Sequence, residues 1–418
     1  MKKRSSSIAR KPPVAREGAA LLWDESFLWA VMAYRALKKL CLPFDLVRSA
    51  DIRAGCLDRY NLLFVPGGWS SNKMKALGDE GAEAVRAFVK AGGSYLGFCG
   101  GAGLATEDGL GLLNVRRKPT AERVPSFSGR IALRLRRHPI WADVAEPVFH
   151  AWWPPQFGGL ASSIRVLASY GKALPDSFSS DLNTGDVSAS GGWKALEELY
   201  RINLDPARLR GEPAVIEGRC GQGRVVLSLV HFDTPDDPHG ESALRNLWAE
   251  LAGGRQGRSR RVSRGTASCA ATQELEAAAS RLIELGRRNF LWFDRGPYLL
   301  QWRRGVRGLE YATLWVMVRE LAQLLPADCG DAMERRVKGL TKRTLPFIRK
   351  AEKLLVRERI AMQQGSLTYE KCDDPAVCEL REELFSKSKS YGGRYKELLD
   401  EIDELVFSLL KEKEEVSL

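Results

Sequence analysis

Histidine is scarce in this chain, and the sequence has neither a long apolar run nor a secretory signal. The 418 residues include four histidines and eight cysteines, and no two cysteines form a C-x-x-C pair. We therefore expect no structural zinc site, no redox pair and no cofactor. No run of about 18 uncharged apolar residues occurs, and the basic N-terminus lacks the apolar segment of a secretory signal. These absences predict a soluble, cytoplasmic protein without a membrane partner.

The net charge of +12 is concentrated in two segments. Residues 1–16 carry six basic residues and residues 253–265 carry five, neither with an acid, which leaves about +1 for the rest of the chain. We expect both segments to be disordered. No platform of interleaved aromatic and basic residues accompanies them, so a dedicated nucleic-acid fold is not indicated. The sequence leaves open the hypothesis that these two segments make weak contact with polyanions.

Short apolar runs alternate with amphipathic stretches from Ala19 to about Leu251. This pattern predicts an α/β fold in which a doubly wound, mostly parallel sheet is covered by helices. The predicted strands are Ala20–Trp23, Phe44–Val47, Leu62–Val65, Ser94–Phe98, Ile164–Tyr170, Ala214–Glu217 and Val225–Val230. The predicted helices include Phe27–Leu40 and Gly81–Ala91.

The chain is long enough for two or three domains. Residues 253–268 are rich in Gly, Arg and Ser and are typical of a linker. After them the strand pattern stops, and apolar residues at helical spacing predict an all-α bundle of four or five helices. The predicted breaks between these helices are Gly296-Pro297, Pro326, Pro346 and Gly392-Gly393. The predicted units are a basic tail over 1–18, an α/β domain over 19–252, a linker over 253–268 and a helical domain over 269–418.

Cys99 stands in a G-x-C-x-G core that begins where the predicted strand Ser94–Phe98 ends. This context is typical of a nucleophile elbow, where flanking glycines allow a strained turn close to neighbouring backbone. A helix starting after Cys99 would favour the thiolate. A glycine-rich turn with an incidental cysteine is the alternative.

His231 is the best-placed base among the four histidines. It ends a predicted strand and is followed two residues later by Asp233, so both side chains point the same way at the carboxyl edge of the sheet. The carboxylate would then hold the imidazole while the other ring nitrogen faces Cys99. The alternative is a structural histidine at a strand end.

Acyl chemistry also requires donors for an oxyanion. Gly67 and Gly68 follow the strand before the elbow, and either could present a backbone N–H, with Gly100 as the second donor. A plain tight turn is the alternative for this loop.

A possible pocket is predicted from five further residues, Asp24, Glu25, Trp69, Trp153 and Gln156. The tryptophans and Gln156 either wall a substrate pocket or belong to the core. The two acids either face the site or are solvated at a strand end. The stretch Trp292–Trp302 packs either on the first domain or on a partner, and nothing in the sequence selects between these.

The runs LLWDES, PGGWSSNK, GGSYLGFCGGAGLA and VVLSLVHFDTPDD resemble the biotin-protein ligase N-terminal domain-like family, which is similar to the class I glutamine amidotransferases. The resemblance covers about residues 19–252. It implies that Cys99 is the nucleophile, His231 the base and Asp233 the orienting acid, where class I amidotransferases usually have a glutamate. It does not imply biotin-ligase activity, because the residues after the linker are predicted to be helical.

These features favour a cysteine-dependent hydrolase or amidotransferase-like enzyme that acts on a small-molecule or peptide amide through an acyl-thioester. The alternative is a noncatalytic binding or regulatory module whose helical tail binds a protein partner. A structural adaptor tethered to a polyanion by its basic segments is a third hypothesis.

Overall fold

The computed structural model describes residues 17–253, 269–367, 371–387 and 391–415. Most of the predicted basic tail, residues 1–16, and nearly all of the predicted linker, residues 254–268, lie outside these ranges. The expectations for those two segments therefore stay predictions.

The strands, in chain order, are β1 (Ala19–Leu22), β2 (Asp45–Val47), β3 (Leu62–Val65), β4 (Ser94–Phe98), β5 (Arg116–Arg117), β6 (Phe127–Leu135), β7 (Val148–Trp152), β8 (Phe157–Gly158), β9 (Arg165–Ala173), β10 (Phe178–Ser179), β11 (Leu182–Asn183), β12 (Pro213–Cys220), β13 (Gly223–Ser228), β14 (Trp292–Asp294) and β15 (Leu300–Trp302).

The α-helices are α1 (Leu28–Lys39), α2 (Ser49–Arg53), α3 (Ser70–Lys90), α4 (Gly100–Leu104), α5 (Thr184–Ser190), α6 (Trp193–Tyr200), α7 (Pro238–Leu251), α8 (Ala270–Arg288), α9 (Gly308–Leu324), α10 (Asp331–Gln363), α11 (Pro375–Phe385) and α12 (Gly393–Glu415). No helix within the described ranges is long and apolar enough to cross a membrane.

One sheet of 11 strands forms the first region, in the order β11-β10-β6-β9-β12-β13-β4-β3-β1-β2, with β7 paired to β6. The strands from β13 to β2 are parallel, and those from β12 to β11 are antiparallel. Every residue of β1, β3 and β4 is buried, which is typical of parallel strands covered on both faces. The predicted fold class is confirmed, and the sequence pattern missed β6 and β7 of the antiparallel part.

The second region contains the five helices α8 to α12, in agreement with the predicted helical bundle. Two details of that prediction are wrong. Strands do not stop after the linker, because β14 and β15 form an antiparallel hairpin across the predicted break at Gly296-Pro297. Pro346 does not end a helix either, since it lies inside the 33-residue helix α10, whose buried side chains, such as the adjacent Phe347, anchor it. A proline removes one backbone hydrogen bond, and packing along so long a helix offsets that loss.

The last helix packs on Trp23, the residue that follows the first strand of the sheet. The indole Nε1 of Trp23 donates a hydrogen bond of 2.7 Å to Oδ1 of Asp403 on α12, and Nη2 of Arg48 lies 3.3 Å from Oδ2 of the same carboxyl. Burial raises the pKa of Asp403 to about 7, against the opposing effects of Arg48 and of the Trp23 hydrogen bond. The two regions are therefore joined through a buried acid whose charge depends on pH.

We predict that Asp403→Asn removes a pH dependence of stability. Folding favours the protonated carboxyl because its folded pKa lies above its ordinary value, so stability falls as the pH rises towards and through about 7. Relative to Asp403→Asn, the wild type should lose about 2 kcal/mol of unfolding free energy between pH 5 and pH 8. Chemical denaturation at several pH values measures this. Glu397→Gln, an exposed change on the same helix, is the control, and an equal pH response in both variants would contradict the prediction.

Candidate functional site

Cys99 lies between the buried strand β4 and the short helix α4, as the elbow motif predicts. Its backbone adopts φ 48° and ψ −103°, a strained conformation for a residue with a side chain. The N–H of Cys99 donates a hydrogen bond of 2.8 Å to the carbonyl of Ser228 at the end of β13. The turn is thus tied to the neighbouring strand, and the side chain is 8% exposed.

Glycines around Cys99 permit a very close approach of two backbone segments. A Cβ on Gly100 would lie 1.8 Å from the carbonyl oxygen of Gly68, and a Cβ on Gly101 would lie 2.0 Å from that of Val65. Only glycine fits at these two positions without displacing the loop that follows β3. The elbow and the Gly67-Gly68 loop are therefore packed directly against each other.

His231 and Asp233 form a fully buried pair after β13. Nδ1 of His231 lies 2.9 Å from Oδ1 of Asp233, and both side chains are 0% exposed. Nε2 of His231 and Oδ2 of Asp233 have no hydrogen-bond partner among the described residues. The carboxylate thus orients the imidazole through one nitrogen and leaves the other nitrogen available.

Cys99 lies within electrostatic reach of this pair. Burial lowers the pKa of His231, but Asp233 and the nearby Cys99 outweigh burial and raise it to about 9. The thiol of Cys99 also contacts the carbonyl oxygen of Trp152, at 3.7 Å from Sγ. The ring of His231 packs on Trp29, with centroids 4.9 Å apart. The structure therefore brings the predicted nucleophile, base and acid to one edge of the sheet.

The predicted oxyanion donors lie beside the same pair. A Cβ on Gly67 would lie 3.1 Å from Cε1 of His231 and 3.0 Å from the Trp29 ring, so this residue borders the imidazole. Gly68 has a φ of 114° and contacts Gly100. The role of these glycines as donors stays a prediction.

The acids after β1 differ from each other in their contacts. The carboxylate of Asp24 pairs with Arg48 at 2.8 Å and accepts the N–H of Ser49 at 2.7 Å, so it holds the start of α2. Glu25 pairs with Lys396 of α12 at 2.8 Å, while its Oε2 is buried without a partner among the described residues.

Lys73 is a charged residue of the site that the sequence analysis did not single out. Its side chain is 0% exposed, and its Nζ donates to the carbonyl of Asp24 at 3.2 Å and to the hydroxyl of Ser26. Burial lowers the pKa of Lys73 to about 7, opposed by Glu25, Asp24, Asp403 and, more weakly, Cys99. One feature of the sequence could have indicated that Lys73 lies near the site: it follows Trp69 by four residues, one turn into α3.

The predicted tryptophans line the contact between the sheet and the helical region. Trp153 packs on Trp302 of β15, with ring centroids 4.7 Å apart, and Trp69 packs on Tyr391 at 6.5 Å. Trp69 is 38% exposed and Trp153 is partly buried. The stretch Trp292–Trp302 therefore packs on the first region, which the sequence left open.

Gln156 is buried, and both its side chain and its backbone carbonyl accept hydrogen bonds. Its Oε1 accepts the N–H of Val124 at 2.6 Å, and its carbonyl accepts the N–H of Lys118 at 2.8 Å. Gln156 thus fastens the loop that follows β5. In the described part of the chain, no group of three or more histidine, cysteine or acidic side chains is arranged to hold a metal ion.

Residues 57–108 match a known family model. Its description is "Biotin-protein ligase, N terminal". The matched residues include β3, α3, β4 and the Cys99 turn, and the resemblance inferred from the sequence is confirmed over this stretch. No curated protein matches the chain.

Several solved structures are similar to the first region of the chain. One is PurLQS from Thermotoga maritima, at 14% identity and a TM-score of 0.40, covering 57% of this chain and 100% of that one. Another is a glutamine amidotransferase, at 23% identity and a TM-score of 0.36, covering 56% and 99%. A ThuA-like protein from Bacteroides uniformis shares 13% identity at a TM-score of 0.36, covering 61% and 99%. All three TM-scores lie below 0.5.

We predict that Gly100→Ala and Gly101→Ala each destabilise the first region by about 1–3 kcal/mol or more, because the added methyl group would overlap backbone oxygen atoms. Gly103→Ala on the same helix is the matched control, since its Cβ would meet no atom closer than 3.4 Å. Urea denaturation measures the difference. Equal midpoints for all three variants would show that the close approach of elbow and loop does not exist.

Proposed function

We propose that this protein is a cysteine-dependent hydrolase or amidotransferase-like enzyme that acts on an amide-type substrate through an acyl-thioester. One observation carries the proposal. A strained cysteine at a strand-to-helix turn lies beside a buried His231–Asp233 pair whose Nε2 and Oδ2 have no hydrogen-bond partner among the described residues. Each such atom costs about 1–3 kcal/mol when buried, and natural folds retain this cost mainly at functional sites.

The proposed reaction has two halves, formation of a thioester and its hydrolysis, and Cys99 and His231 act in both. The thiolate of Cys99 attacks the carbonyl carbon of the amide and forms a carbon–sulfur bond. The carbon–nitrogen bond then breaks, and the imidazolium of His231 gives its proton to the leaving amine. The neutral imidazole takes a proton from water, and the resulting hydroxide attacks the thioester carbonyl. The carbon–sulfur bond then breaks, which releases the carboxylic acid and restores the thiolate of Cys99 and the imidazolium of His231. Gly68 and Gly100 are the proposed oxyanion donors.

The charges around the sulfur support this assignment. His231 has a pKa raised to about 9, so it is cationic at neutral pH and stabilises an adjacent thiolate. Asp233 holds the proton at Nδ1 and fixes the ring, which leaves Nε2 for the thiol or the leaving group. The aspartate, one methylene shorter than the usual glutamate, reaches the imidazole at an ordinary hydrogen-bond distance.

A noncatalytic binding module is the second candidate, favoured by the burial of the site. Cys99 is 8% exposed and His231 is 0% exposed, and residues of the helical region, including Tyr391 and Lys396, contact the loops around them. Under this alternative the helical region seals an inactive site. Under the leading proposal it covers the site during the reaction and excludes water.

We predict that His231 controls the reactivity of Cys99 towards iodoacetamide. Below pH 9 the imidazolium favours the thiolate, so Cys99 of the wild type should be labelled about 10-fold faster or more at pH 6.5 than Cys99 of His231→Gln. Above about pH 9 the imidazole is neutral, and the two rates should converge. Asp233→Asn lowers the population of the imidazolium. Its labelling rate at pH 6.5 should therefore lie between those of the wild type and His231→Gln. Peptide mass spectrometry measures labelling at each cysteine.

Two controls make this measurement specific to Cys99 and His231. Exposed Cys378 reports on the reagent within the same molecule. His150→Gln removes an imidazole that is bonded to Asp237 at 3.0 Å but keeps the backbone carbonyl of residue 150, which accepts the N–H of His231 at 2.8 Å. It should leave the Cys99 profile unchanged. Identical pH profiles for the wild type and His231→Gln would refute the proposed enzyme and leave the binding module.

A further inference from the structure

Arg123 is a partly buried cation for which the structure describes no anionic partner. It lies in the loop between β5 and β6, and its Nε atom is buried without a hydrogen bond. Within the described ranges, no carboxylate forms an ion pair with its guanidinium. Burying part of a cation without a partner costs free energy, so a partly buried arginine without a carboxylate partner is a candidate for binding an anion.

The loop that carries Arg123 is fastened beside the sulfur of Cys99. Val124 and Lys118 donate their N–H groups to Gln156, at 2.6 and 2.8 Å. Gln156 follows β7, whose last residue, Trp152, places its carbonyl oxygen 3.7 Å from Sγ of Cys99. The segment that contacts the sulfur therefore also anchors the arginine.

A second arginine, the last residue of β5 before this loop, borders the elbow. Nη1 of Arg117 donates a hydrogen bond of 2.9 Å to the hydroxyl of Ser70 at the start of α3. Its Cδ would lie 3.4 Å from a Cβ on Gly103 of α4. Arg117 thus spans the helix that follows Cys99 and the helix that follows the Gly67-Gly68 loop. Its Nε makes no hydrogen bond, but it lies 3.7 Å from Oδ2 of Asp108 in an ion pair, so among the described residues Arg117 is partly neutralised and Arg123 is not.

The charges of these groups influence one another. Burial lowers the pKa of Arg123, the Cys99 thiolate raises it and the neighbouring Arg117 lowers it. Arginine nonetheless stays protonated in proteins, so both side chains carry a positive charge at any ordinary pH, and only that of Arg117 has a described carboxylate partner. Lys73 does not share this role, because it is fully buried and already bonded to Asp24 and Ser26.

We propose that Arg123, with Arg117 beside it, binds an anionic group of the substrate, a carboxylate or a phosphate, next to Sγ of Cys99. The planar guanidinium offers paired donors that match either anion. The proposal rests on the proposed function and narrows its substrate to amides that carry a negative charge.

Alkylation with two reagents of similar size and different charge tests the subsite. Iodoacetate is an anion and iodoacetamide is neutral, so the ratio of their rates at Cys99 reports the local preference for negative charge. Arg123→Gln should lower the iodoacetate rate about fivefold or more and leave the iodoacetamide rate within about twofold. Arg123→Lys, which keeps the charge, should restore part of the ratio. Arg116→Gln removes an exposed charge from β5, the strand before the loop, and should change neither rate.

Protection by simple anions identifies the group that binds. Acetate and inorganic phosphate are added separately at constant ionic strength, and each is scored by how far it slows labelling of Cys99 by iodoacetamide. Protection by acetate in the wild type but not in Arg123→Gln indicates a carboxylate subsite, and the same pattern with phosphate indicates a phosphate subsite. A rise in melting temperature with the effective anion, absent in Arg123→Gln, is a readout that does not require access of a reagent to the thiol.

The proposal is overturned if Arg123→Gln retains both the charge preference and the anion protection of the wild type. Failure of the proposed function gives a different result. In that case His231→Gln would match the wild type with iodoacetamide, while the charge preference set by Arg123 would persist.

Discussion

The contact between the Cys99 turn and the loop after β3 determines the geometry of the site. Two glycines of α4 allow backbone atoms to meet at distances that any Cβ would forbid, and the carbonyl of Gly68 lies where a side chain of Gly100 would begin. The same loop places Gly67 against the ring of His231. Nucleophile turn, imidazole and loop are thus mutually fixed, and none can move alone without disturbing the others.

Around this contact, ionisable side chains are buried in a way that stability alone does not explain. Lys73 is fully enclosed, Glu25 has an oxygen without a partner among the described residues, and Asp403 joins β1 to α12. Replacing such groups by apolar residues is often neutral or stabilising in other proteins. Their concentration at one edge of the sheet is therefore more consistent with a functional requirement than with optimal packing.

Local sequence patterns were sufficient to predict the parallel strands, the Cys99 turn and the pairing of His231 with Asp233, because each depends on neighbours in the chain. The contacts of Glu25 with Lys396 and of Trp153 with Trp302 depend on the packing of distant segments, and no periodicity reveals them. Pro346 was misjudged for the same reason. Tertiary packing along α10 outweighs the local tendency of proline to end a helix.

The hydrogen bond between Trp23 and Asp403 joins residues that are 380 positions apart. Contacts of such long range form late, because a very large loop must close before they contribute any stabilisation. The sheet and its cysteine turn can therefore fold before α12 packs against them. Partial detachment of that helix, a subglobal opening rather than a global one, would expose the loops after β1 to solvent while the strands beneath stay paired.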